Sequence, residues 1–119
     1  MGISEHSEQV AVVRQLTRAK ICFTAVPNGG LRDKKAARSI SAEGVQPGFP
    51  DLLILDPPPA HFGYVGLAIE MKVSNRSKAV VATKQKMWLS KLAERGWLTQ
   101  VCYGATEAIK YMREQGYEV

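Results

Sequence analysis

The stretch GLAIEMKV, residues 66–73, constrains this chain most. Its apolar run reads as a buried β-strand, yet Glu70 and Lys72 sit inside it, two residues apart. Burying either charge without a partner costs several kcal/mol as a rough figure. Side chains alternate faces along a strand. Leu67, Ile69, Met71 and Val73 therefore form one apolar face. Gly66, Ala68, Glu70 and Lys72 form the other, with small residues first and charges last. This second face leaves room near its polar end for something other than side chains, while the Met71 side chain belongs to the core. Read alone, Glu70 and Lys72 make an intrastrand pair at a solvent-facing end.

The remaining segments surround this strand with helices. SEHSEQVAVVRQLTRAK opens with an N-cap, Ser4, and an acidic first turn, and Gln9, Val12, Val13 and Leu16 share one helical face. ICFTAV reads as a strand ended by Pro27, and PNGGL as a turn. RDKKAARSISAEG reads as a short basic helix stopped by Gly44. DLLILD is an apolar run bounded by prolines, a central strand, and it can form an antiparallel hairpin with VGLAIEMKV. SNRSKAVVA is mostly loop. TKQKMWLSKLAERG is a helix capped by Thr83 and stopped by Gly96; LTQVCY is a strand; TEAIKYMREQG is a final amphipathic helix. The order α-β-α-β-β-α-β-α predicts an α/β fold with a mixed central sheet flanked by helices.

At 119 residues the chain holds one domain, 1–119, with a single core. A formal net charge of +5 favours a polyanionic partner, of which nucleic acid is the commonest, although it also serves solubility. Cys22 and Cys102 lie in apolar runs and read as buried free thiols; zinc would need partners at close spacing, which are absent. No apolar run reaches membrane-spanning length and no signal peptide precedes the domain, so an intracellular, soluble protein is expected. His6 and His61 show no catalytic spacing.

Asp51 takes its place from the hairpin. It follows Pro50 at the start of DLLILD, and an antiparallel partner brings it beside Glu70 near the end of GLAIEMKV. Two carboxylates brought together repel unless a proton or a cation lies between them. Hard divalent ions such as Mg²⁺ take carboxylate oxygens and keep several waters. Lys72, one pleat further, can then orient the nucleophile or stabilise the transition state of phosphodiester hydrolysis. Taken singly, Asp51 is also an ordinary residue at a strand entry.

Pro50-Asp51 followed by Glu70-Met71-Lys72 resembles the PD-(D/E)xK nuclease pattern. The wider context, VPNGGLRDKKAARSISAEGVQPGFPDLLIL, GLAIEMKV and QKMWLSKLAERGW, resembles the VRR-NUC family of that superfamily over nearly the whole chain. The resemblance implies a restriction-endonuclease-like fold and a Mg²⁺- or Mn²⁺-dependent DNA endonuclease. It implies Asp51 and Glu70 as metal ligands, with the Met71 backbone carbonyl also facing the metal, and Lys72 as the catalytic lysine. Gln85 matches a glutamine that opens the helix after the motif strand; with Trp88, Leu89 and Leu92 it falls at i, i+3, i+4 and i+7, on one face.

The family also carries a glutamate on its first helix, and Glu5 competes with Glu8 for that place. On a helical wheel, Gln9, Val12, Val13 and Leu16 lie within roughly 80° of Glu5 and average near 30°, while Glu8 lies about 60° to the other side. Glu5 is therefore expected nearer the inward stripe. Asn28, Gly29 and Gly30 match a family turn, and Arg32, Lys34, Lys35 and Arg38 follow as candidate contacts to DNA phosphates, or as a solvated helix face. Phe49 can stack on a base, but the core is its more natural place. The chain departs from the family at Lys84, where an acidic residue is common, and in a slightly longer loop between Lys72 and Gln85.

The resemblance further implies homodimers acting on branched DNA such as four-way (Holliday) junctions in replication, recombination or repair, within a bacterial or phage-infected cell. The competing readings are a non-catalytic DNA-binding module on the same fold, which need not keep Asp51, Glu70 and Lys72 together, and a restriction-type endonuclease, for which the chain is short.

Overall fold

The computed structural model describes residues 4–27 and 42–119. Helix α1 (Glu5–Arg18) starts at Ser4, whose Oγ accepts the Ser7 N–H at 3.1 Å. Strand β1 (Phe23–Ala25) follows, then β2 (Leu52–Ile54), β3 (Leu67–Lys72), a single 3-10 turn (Arg76–Lys78), helix α2 (Thr83–Glu94), β4 (Leu98–Tyr103) and helix α3 (Ala105–Glu114). The strands form one sheet in the order β1-β2-β3-β4. β1–β2 and β2–β3 are antiparallel, and β3–β4 is parallel, with α2 as the crossover. The mixed α/β architecture expected from the alternating runs is therefore the one observed. The basic helix expected from Arg32 onward falls almost wholly outside the described residues.

Strand β3 is central, and all six of its residues are buried. Cross-strand partners point to the same face, so Leu52, Ile54, Leu67, Ile69, Met71 and Cys102 line one side of the sheet. Val12 and Leu16 of α1 and Ala108 and Met112 of α3 close over them into the main core. Met71 is fully buried there. The other face carries Ala68, Glu70 and Lys72, and α2 packs along β3 and β4.

Two local expectations need correction, the cap of α2 and the burial of Cys22. Helix α2 is capped at Ala82, not at Thr83. Alanine offers no side-chain acceptor, and the cap is made in reverse: the Gln85 Oε1 accepts the Ala82 N–H at 2.8 Å. SNRSKAVVA is mostly loop, as expected, with the 3-10 turn inside it held by Asn75 Oδ1 accepting the Ser77 N–H at 3.1 Å. Cys22 is exposed, because it precedes the short edge strand β1; its N–H donates to Asp56 Oδ2 at 2.9 Å. Gly66, at the other end of the face that carries Glu70 and Lys72, is closely packed. A Cβ there would lie 2.4 Å from the Ile54 carbonyl oxygen and 2.7 Å from the Trp97 ring, so the indole already fills the place. The backbone carbonyl cannot yield without breaking the β2–β3 ladder. Gly66→Val is therefore expected to cost about 1–3 kcal/mol of stability, read as a lower urea midpoint with an unchanged denaturant slope.

Candidate active site

The end of β3 gathers the charged residues. Continuing the β2–β3 register from Leu52↔Ile69 sets Asp51 opposite Glu70 and Pro50 opposite Met71. In an antiparallel ladder, a residue's N–H and C=O face the same neighbour. Met71 therefore turns both groups toward Pro50, which has no N–H to give. The Asp51 side chain takes over one half of this broken pairing: its Oδ2 accepts the Met71 N–H at 2.7 Å. The Met71 carbonyl faces the same edge with no proline N–H to meet it. Asp51 is also held through its backbone, whose carbonyl accepts the Val26 N–H at 2.8 Å.

Glu70 is 2% exposed and Lys72 is 8% exposed. They do not form the solvent-facing pair that their spacing alone suggests. Among the described residues, Lys72 makes no ion pair with a carboxylate. Its Nζ donates instead to the Gln85 Oε1 at 2.9 Å, and the Gln85 Nε2 donates to the Glu70 Oε1 at 3.3 Å. Gln85 thus ties the lysine, the glutamate and the first turn of α2 into one unit. Gly48 seats the loop before Asp51 against that turn: its φ is +86°, and a Cβ would lie 2.8 Å from the Lys84 Cβ. One residue on, Phe49 packs edge-on to Trp88 of α2, with ring centroids 5.3 Å apart.

The second oxygen of Glu70, Oε2, is buried with no donor. Its pKa is pushed up to about 9, first by burial, then by the Asp51 charge and a bond shared with the Asp51 carboxylate. Two carboxylates can share such a bond only around a proton. Lys72 opposes the rise, and Glu5 adds to it. The Glu5 carboxyl is raised too, by burial and then by Asp51, with Lys72 opposing. Glu5 therefore reaches the electrostatic field of the cluster from α1, although the residue as a whole is exposed.

Glu8 has a different place. It is more buried than Glu5, contrary to the wheel argument, because the buried stripe of α1 runs Glu8, Val12 and Leu16. Its Oε1 accepts the Ala105 N–H at 3.2 Å, supplying the acceptor that Gly104 cannot at the start of α3. That glycine cap was the available signal, since a helix opening on glycine needs an acceptor from elsewhere. Asn28, Gly29, Gly30, Arg32, Lys34, Lys35 and Arg38 lie outside the described residues.

The donor set suits a hard divalent ion. Glu70 Oε2 receives no N–H or O–H donor, the Met71 N–H engages only one oxygen of Asp51, and the Met71 carbonyl faces the same edge. Among the described residues, no three His, Cys, Asp or Glu side chains group as a metal site. Two carboxylates and a carbonyl nevertheless match an ion that keeps much of its water shell.

A mixed sheet thus carries two neighbouring carboxylates and a buried lysine at the end of its central strand. The VRR-NUC domain model matches residues 3–106, and the chain belongs to that family. It is thus a DNA-acting domain of the nuclease type. A solved structure described as a VRR_NUC domain protein superposes with a TM-score of 0.77 at 25% identity, covering 98% of this chain and 90% of its own. No curated protein matches the sequence. No helix among the described residues is long and apolar enough to cross a membrane.

Proposed function

We propose that the protein is a Mg²⁺- or Mn²⁺-dependent endonuclease that hydrolyses phosphodiester bonds in branched DNA, such as four-way junctions, during replication, recombination or repair. One observation carries this reading: a buried glutamate oxygen without a donor faces an aspartate, beside a buried lysine that no described carboxylate pairs. Such an arrangement is costly in a purely structural role. Asp51, Glu70 and the Met71 carbonyl would hold the ion, with Glu5 closing the acidic side from α1. A divalent cation there supplies Lewis acidity toward the phosphate and a more acidic water.

The protein's own groups do the positioning. The Met71 N–H fixes Asp51, and the Gln85 Nε2 fixes Glu70. Lys72 spends one of its three donors on Gln85 and keeps two for a phosphate oxygen or the attacking water. Those donors act in a desolvated place, where they stabilise developing negative charge most strongly. One domain carries one such site, so symmetric cutting of two strands calls for a homodimer.

The test is a panel of strand-labelled junction, flap and duplex DNAs incubated with purified protein and Mg²⁺ or Mn²⁺. Metal-dependent cleavage that is fastest on a branched substrate is expected. DNA binding without cleavage under any metal would instead identify a non-catalytic module.

A further inference from the structure

A second cationic feature stands beside the cluster at the same end of the sheet. Tyr103 is the β4 partner of Lys72, so its ring lies on the Lys72 face, one strand spacing of about 4.8 Å away. The Arg76 guanidinium sits over that ring, 4.1 Å from its centroid. A 2.9 Å bond from Arg76 to Glu107, in the first turn of α3, completes the arrangement. The Arg76 side chain is still 65% exposed. A flexible arginine is thus held in place on an aromatic platform, with donors turned to solvent. It comes from the 3-10 turn that follows β3, which joins it closely to the catalytic strand.

We propose that Arg76 binds a backbone phosphate of the DNA next to the scissile one, with Glu107 as the counterion it exchanges for that phosphate. The proposal rests on the nuclease reading above. Tyr103 keeps the guanidinium plane fixed through the exchange, so little side-chain entropy is lost on binding. Glu107 holds the arginine in the free protein and lowers its affinity for DNA.

The experiment measures binding of a fluorescein-labelled junction and duplex by anisotropy in EDTA across a salt series, then steady-state cleavage. Arg76→Ala is expected to reduce the slope of log K against log salt by about 0.9, the signature of one lost phosphate contact. Its cleavage defect should fall on KM. Tyr103→Leu should weaken binding in the same direction. Glu107→Gln should tighten binding more than Glu118→Gln, the same charge change on an exposed residue at the far end of the sheet. If the wild-type protein cleaves DNA but Arg76→Ala keeps its slope and KM, the proposal is overturned and the nuclease reading stands. Equal tightening by both glutamate variants would reduce the role of Glu107 to net charge and also overturn it. Absence of both binding and cleavage in the wild type removes the nuclease reading itself.

Discussion

Lys72→Ala is expected to lower single-turnover cleavage by at least about a hundredfold, the scale seen when one preorganised donor to a developing oxyanion is removed. The protein should stay folded. Lys72 contributes a buried ammonium whose hydrogen bond goes to Gln85, and Gln85 Oε1 keeps its second donor, the Ala82 N–H. The cap of α2 therefore survives the substitution, and a desolvated charge is removed with it. Circular dichroism and a thermal melt close to wild type, beside lost cleavage, would separate chemistry from folding. Cleavage within a few-fold of wild type would deny Lys72 its catalytic role.

Glu70→Gln has the second largest expected effect, and it can be read without DNA. The folded-state pKa of Glu70 is raised to about 9 from 4.5. Between those values the folded metal-free protein holds a proton that the unfolded chain has released. Stability from this group is thus complete below about pH 4.5 and falls as pH rises toward 9. The slope reaches at most about 1.4 kcal/mol per pH unit. Without metal, the wild-type melting temperature should drop through this window, by about 4 °C for each kcal/mol lost. Glu70→Gln should flatten the profile and be the more stable protein at pH 8. Added Mg²⁺ should restore the wild type and leave the variant unmoved. A flat wild-type profile would show that Glu70 does not hold a proton in the folded protein through this window.

The residue types of the cluster were legible from the chain because a strand imposes a two-residue period and a hairpin fixes who faces whom. Asp51 could be set beside Glu70 on those grounds alone. The role of Pro50 was not legible in the same way, since its missing N–H matters only once the register places it opposite Met71. Boundaries came out shorter than the apolar runs: DLLILD gives only Leu52–Ile54. Contacts distant in sequence escaped most completely. Glu8 meets Ala105 across 97 positions, and nothing in the first turn of α1 signals that the start of α3 will dock there. The close packing at Gly66 was not legible, because the pattern of one strand cannot reveal that Trp97, from the next connection, lies against it. Arg76, Tyr103 and Glu107 come from three separate segments and converge only in the fold.

The most direct test of the central claim is calorimetric titration of Mn²⁺ into wild-type protein, Asp51→Asn and Glu70→Gln at a pH near neutrality. The wild type should show saturable binding accompanied by proton release, because the ion replaces the proton that Glu70 holds beside Asp51, and both variants should lose it. Equal Mn²⁺ binding by all three proteins would place any metal elsewhere and contradict the assignment of this carboxylate pair.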